Sequence, residues 1–301
     1  MAATAANQSA IELGEPSGWR RAKNRLAIGA MWFAFVCMVV PLGFVLVGVV
    51  AKGASVITWQ FLTSGTIPPN VLPANVGGMG PAILGTLEIT AFAAVIAIPL
   101  GILGAIYLNE YGGNRPLARL ISFMSDVMTG VPSIIMGLFI FTIWVIPRGL
   151  TGYSGLAGSF ALACLMLPIV IRSTYEMLRL VPDSLREGSY ALGATKARVT
   201  LTVVLPAAVG GIVSGALLAV ARAAGETAPL LFTIGFVLTT NPNLFSGANT
   251  ALSTQIFDNV LQPYTGAVDR GWGAALTLIA IAFIFMIAAR LVTARFARYS
   301  R

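Results

Sequence analysis

The sequence predicts an all-α integral membrane protein with six transmembrane helices. Three observations lead there. Of 301 residues, 57% are hydrophobic and only 10% charged, whereas soluble domains carry about 25% charged residues. Mean hydropathy is +0.85, so a polar surface cannot be built around this chain. The apolar residues also fall into runs near or beyond the ~18 that mark a membrane-spanning helix, and no polar block is long enough for a separate soluble domain.

Taken in order, the spans are predicted at residues 26–50, 81–108, 122–146, 155–171, 203–225 and 272–291. At ~1.5 Å rise per residue each can cross ~30 Å of hydrocarbon, the fourth only by extending toward Leu180 before Pro182 stops it. The first apolar run exceeds the ~7–15 residues of a signal-peptide core, so it reads as a retained anchor. The long connections 51–80 and 227–271 are rich in Gly, Pro, Asn and Thr, which favour turns. Within the second, residues 229–238 are apolar but too short to span. They read as a re-entrant or outward-lying half-helix, tolerated where protein or a water-filled cavity covers its backbone. The implied organisation is a tail at 1–25, a membrane domain at 26–293 and a second tail at 294–301.

Charge sets the expected orientation. Fifteen of the 19 Lys and Arg residues fall in the tails and in the loops after the second and fourth spans, against three in the alternate loops. Positive-inside topology then places both termini in the cytoplasm. This distribution in short loops also argues against nucleic acid as the partner of a chain of net charge +8; membrane lipid is the expected surroundings. With no histidine present, histidine bases, imidazole metal ligands and His proton relays are excluded. Cys37 and Cys164 lie in apolar spans without metal-like spacing and read as small packing residues.

The longest inward loop contains EGSYALGATKARVTLTVVLP. Pro182 and Asp183 favour a helix start, and Gly193 suits its end because glycine enters the left-handed region cheaply. A short helix over 185–192 followed by a sharp turn would form a knob fit for a groove on a partner; an amphipathic helix lying on the lipid surface is the alternative. The spacing Glu187, Gly188, Ser189, then Gly193, Val203, Leu205 and Pro206 resembles the EAA signature of ABC importer permeases. Gly188 and Ser189 stand for its alanines and Val203 for its isoleucine. The resemblance implies ATPase coupling at Glu187, Gly188, Ser189, Gly193, Leu205 and Pro206. No GxxxxGK[ST] loop exists to cradle ATP. The ATPase is therefore expected on a separate polypeptide, with no catalytic residue, metal or directly bound cofactor here.

Two charged pairs interrupt the apolar spans. Arg222 and Glu226, four residues apart, would point within about 40° of each other on a helix. An ionisable residue at a helix centre costs on the order of 2.5–3.5 kcal/mol and usually faces a bundle interior or a pathway. If Gly225 and Pro229 end the fifth span, Arg222 lies toward its outer half and Glu226 nearer water. Arg172 and Glu176 repeat the spacing at the end of the fourth span, where an arginine is also expected from topology alone. Glu88 and Asp126 are expected near interfaces, without a pathway role. A guanidinium fork that stays charged suits phosphate or carboxylate, so an oxyanion is the expected cargo.

The strings VMTGVPSIIMGLFIF, LPIVIRSTYEMLRLVP, REGSYALGATKARVTLTVVLP and ARAAGETAPLLFT are similar to the PstA-type permease subunits of phosphate-specific ABC importers. ITWQFLT and GGMGPAILGTL match more weakly. The resemblance implies a type I ABC importer permease architecture in the bacterial inner membrane. It implies a heterodimer with a PstC-type permease, two PstB-type ATPase subunits and a PstS-type extracytoplasmic phosphate-binding protein. It also implies transport roles for Arg172, Arg222 and Glu226. The family's acidic residue near Arg172 falls where this chain has Tyr175, so Glu176 does not inherit that role. A permease for sulfate, molybdate or phosphonate is the alternative within the class. A proton-coupled secondary transporter, or a membrane scaffold, is the alternative outside it.

Overall fold

The computed structural model describes residues 18–68 and 77–297; residues 1–17 and 298–301 of the two expected tails, and 69–76 of the first long connection, lie outside the described residues. Every regular element among the described residues is a helix, without a strand. It divides into two compact units, residues 1–48 and 49–301. In the first unit the described residues belong to α1 (Gly18–Gly53). Phe33, Phe44, Val45 and Val47 stand exposed on it, as suits a helix surrounded by acyl chains.

Among the described residues, six helical stretches are long and apolar enough to cross a membrane: Gly18–Gly53, Gly80–Gly112, Ser133–Gly152, Gly155–Arg179, Lys196–Ala224 and Thr265–Leu291. Five overlie the predicted spans. The third does not, because the apolar run over 122–146 is broken. Pro132 has no N–H and holds the preceding residue out of the helical region, and Val131 accordingly sits at φ −76°, ψ 130°. One predicted span thus becomes two elements, the amphipathic α4 (Pro116–Gly130) and α5 (Ser133–Ile140), which continues through a π turn to Val145 and a 3-10 segment to Gly152.

The second unit is built on α3 (Gly80–Ile106), α6 (Gly155–Arg179) and α9 (Leu205–Ala224). Every fourth residue of α3 from 85 to 105, namely Gly85, Ile89, Ala93, Ala97, Gly101 and Ala105, is buried. Such a ridge of mostly small residues lets helix backbones approach closely, the main source of packing energy where lipid removes the hydrophobic drive. A β-carbon on Gly101 would stand 2.8 Å from that of Val170 in α6. Ser159 of α6 donates to the Ile89 carbonyl of α3 at 3.0 Å. Ala219, Val220 and Ala223 of α9 complete this core, and α12 (Thr265–Ala297) packs against α9.

The connection after α9 holds α10 (Ala228–Thr233) and α11 (Leu252–Val260). The half-helix expected at 229–238 is realised as α10, six residues long, and the chain leaves it at Gly235 with φ +71°. Thr86 of α3 ties this end of the bundle together, its Oγ1 accepting from the Leu252 N–H at 2.8 Å. At the opposite end lie α7 (Asp183–Ala191) and α8 (Lys196–Val199), the latter joined to α9 by a π turn. Leu178, Val181, Val199, Val204, Ala208 and Ile212 pack there around Ala105 of α3.

Candidate functional site

The break at Pro132 opens a cavity of about 330 Å³ between α4, α5, α6 and the end of α9, lined by Thr129, Ser133, Pro168, Arg222 and Glu226 among others. Its α6 wall is formed by Leu165, Pro168 and Ile169, near the middle of Gly155–Arg179. No side chain caps α5, and its start, Pro132 and Ser133, lines the same space.

Arg222 and Glu226 are brought together there, Nε to Oε1 at 3.8 Å. The Arg222 side chain is 70% exposed and that of Glu226 only 22%. The reason is local. The helix ends at Ala224, Gly225 caps it, and the chain folds back so that the Glu226 N–H meets the Ala223 carbonyl at 3.1 Å. Ser253 of α11 then donates to the Glu226 carbonyl at 2.9 Å, fixing the turn from the far side. The glutamate is held against protein while the arginine reaches into open space.

A second cavity, of about 390 Å³, follows along the same groove toward α7, lined by Arg119, Ser122, Asp126, Arg172, Tyr175 and Arg179 among others. Asp126 lies two residues before Met128, the first α4 residue of the first cavity, and Arg172 one turn beyond Pro168. Arg172 Nη1 contacts Asp126 Oδ1 at 3.1 Å, while its Nε stands 4.0 Å from Glu176 Oε1. The nearer carboxylate of Arg172 is thus on another helix. Asp126, expected to be solvated near an interface, is the residue overlooked, and 46 positions separate it from its partner.

The coupling residues separate into two groups. Glu187, Gly188 and Ser189 lie on α7, and Gly193 follows it at φ +81°. The Gly193 N–H meets the Tyr190 carbonyl at 2.9 Å and the Ala194 N–H the Ser189 carbonyl at 3.2 Å, the paired bonds of a Schellman helix end. Leu192, just before the glycine, is almost fully exposed. Leu205 and Pro206 instead begin α9, where Leu205 packs against the buried cluster at this end of the bundle. Arg186 and Glu110 form a further buried contact, 3.2 Å apart, which the sequence does not signal.

Comparison with known proteins places this geometry. Residues 97–298 match the family described as binding-protein-dependent transport system inner membrane component. The chain is 41% identical to phosphate transport system permease protein PstA 1 of Mycobacterium tuberculosis, covering 91% of this chain and 89% of that protein. It is 39% identical to phosphate transport system permease protein PstA of Yersinia pestis, covering 92% of each. In fold it is similar to a bacterial alginate ABC transporter, at TM-score 0.64 and 15% identity over 93% of this chain and 98% of that one. It also resembles the inward-facing MetNI methionine ABC transporter, at TM-score 0.57 and 21% identity over 73% of this chain and 94% of that one. A bundle of membrane-length helices, broken at a proline beside paired charges and matched over residues 97–298, therefore belongs to the binding-protein-dependent transport system inner membrane component family, as a multi-pass permease of type I ABC importer fold.

Proposed function

We propose that this chain conducts inorganic phosphate as one of two membrane subunits of an ATP-driven importer. The observation that carries the reading is the exposed Arg222 guanidinium beside the uncapped start of α5. A guanidinium fork and a helix N-terminus are both suited to a phosphate oxyanion. Glu226 orients the fork when no anion is present and competes with the anion when one arrives. The relatives named above as phosphate permeases support that cargo over sulfate.

The groove between α4 and α6 continues to Arg172, Arg119 and Arg179, so an anion leaving Arg222 meets further guanidinium groups rather than apolar wall. Both termini face the cytoplasm in this reading, with α7 on the same side. Glu187, Gly188, Ser189 and Gly193 form the surface that a PstB-type ATPase dimer grips. A PstC-type permease closes the pathway, and a PstS-type binding protein delivers phosphate from outside. ATP is hydrolysed by the partner.

The test is ATP-dependent uptake by this chain reconstituted with its cognate second permease, ATPase and binding protein. Phosphate uptake exceeding sulfate uptake supports the assignment. Equal or greater sulfate uptake, or proton-driven uptake by this chain alone, refutes it.

A further inference from the structure

We propose that Arg186 and Glu110 form a buried strut that transmits motion from the coupling helix to the end of α6, which walls the anion groove, and to the π turn that ends the second span. The inference rests on reading α7 as the segment that an ATPase moves.

The Arg186 side chain is 13% exposed and that of Glu110 5%, with Nη2 and Oε1 3.2 Å apart. Three separate pieces of the chain converge on the one guanidinium. Nη2 also donates to the Leu178 carbonyl at 2.9 Å, in the last turn of α6, and Nη1 donates to the Val181 carbonyl just beyond it. Nη1 further reaches Asp183 of α7 at 3.2 Å. Glu110 lies in the π turn Tyr107–Gly112 that ends the second span, and Asn109 donates to its Oε1 at 2.8 Å. The second arm of the coupling segment grips the same turn, with Lys196 Nζ 5.3 Å from the centre of the Tyr111 ring.

Packing does not require this arrangement. The surrounding cluster is apolar, and a well-packed apolar side chain is often as stabilising as a buried ion pair. What a fork provides is direction: several fixed hydrogen bonds hold the helix ends at set angles, where apolar surfaces can slide. Leu178 is six residues beyond Arg172, about 9 Å along α6. A displacement of α7 thus reaches the arginine-lined groove through a rigid connection. Arg186 and Glu110 are positioning residues, remote from the anion itself.

Two measurements on Glu110→Gln and Arg186→Lys test this, with Ser184→Ala as the control because Ser184 is exposed on α7 and outside the strut. In the reconstituted importer, phosphate moved per ATP hydrolysed should fall about tenfold in Glu110→Gln, less in Arg186→Lys, and less than about twofold in Ser184→Ala. In the purified full-length chain, amide hydrogen exchange at 183–193 should quicken by roughly 100-fold in Glu110→Gln. A merely structural role would lower the amount of complex but leave the ratio per assembled complex unchanged. If Glu110→Gln does not assemble, Arg186→Lys carries the ratio measurement. Wild-type ratios in the variants, where the wild-type importer itself works, overturn the strut. If the wild-type assembly moves no phosphate, the transport reading fails, and unchanged exchange at 183–193 still overturns the strut separately.

Discussion

Gly137 of α5 lies directly on the backbone of Pro229 in α10: a β-carbon at Gly137 would stand 2.8 Å from the Pro229 carbonyl oxygen. That contact holds the start of α5 beside Glu226 and so shapes the cavity at Arg222. Backbone cannot swing aside as a side chain can. Gly137→Val should therefore destabilise the chain by about 1–3 kcal/mol, the usual range for overpacking, and lower phosphate uptake by the molecules that do fold. Gly130→Ala, at a position with nothing within 4 Å, should leave thermal stability unchanged. Unfolding midpoints in detergent, compared for the two variants, decide how tight the crossing is.

Arg222→Gln removes the charge but keeps hydrogen-bonding groups. With 70% of the side chain exposed, stability should barely change. Hydrogen bonds to charged groups contribute about 1.5–3 kcal/mol, so uptake should fall roughly tenfold to 100-fold in an importer that still assembles. Arg222→Lys keeps the charge and loses the fork, and should retain an intermediate rate. Uptake kinetics in vesicles containing equal amounts of assembled importer separate these outcomes. Wild-type transport by Arg222→Gln would remove Arg222 from the pathway.

The Arg172–Asp126 pair offers a different separation. Both side chains are more than 60% exposed, and exposed ion pairs contribute about 0–1 kcal/mol to stability. Asp126→Asn should therefore leave the unfolding midpoint unchanged within about 1 kcal/mol, while altering transport because Arg172 loses the carboxylate that orients it. Glu176→Gln, acting on the longer 4.0 Å contact, should alter transport less. Equal effects from the two substitutions, measured as phosphate uptake, would deny Asp126 its role.

How far these features can be read without a structure depends on how local their causes are. The spans follow from apolar runs, and five of the six predicted positions overlie membrane-length helices. The third run fails because hydropathy does not register a backbone break: 122–146 is apolar across Pro132, yet the proline ends α4 and starts α5. The exposure of Arg222 over Glu226 arises from a fold-back after Gly225 that helical periodicity cannot represent. Asp126 and Glu110 find their arginines across 46 and 76 positions, and one sequence carries no record of such tertiary pairings.

Gly193, in contrast, is legible because its constraint is contained in a few neighbouring residues. The expected left-handed turn is present at φ +81°, and a β-carbon added there would have nothing within 4 Å. Any cost of substitution therefore comes from backbone conformation rather than crowding. Left-handed backbone costs a residue with a β-carbon roughly 1–2 kcal/mol, and a β-branched one more. Gly193→Val should accordingly open the Schellman turn, reorient Leu192 and weaken retention of the ATPase during co-purification. Gly193→Asn, which tolerates this region, should retain most of it. Gly188→Ala, also without close neighbours and in ordinary helical backbone, should affect folding little and so separates turn geometry from loss of a glycine as such. Equal ATPase retention by Gly193→Val and Gly193→Asn would show that the left-handed turn does not present the coupling surface.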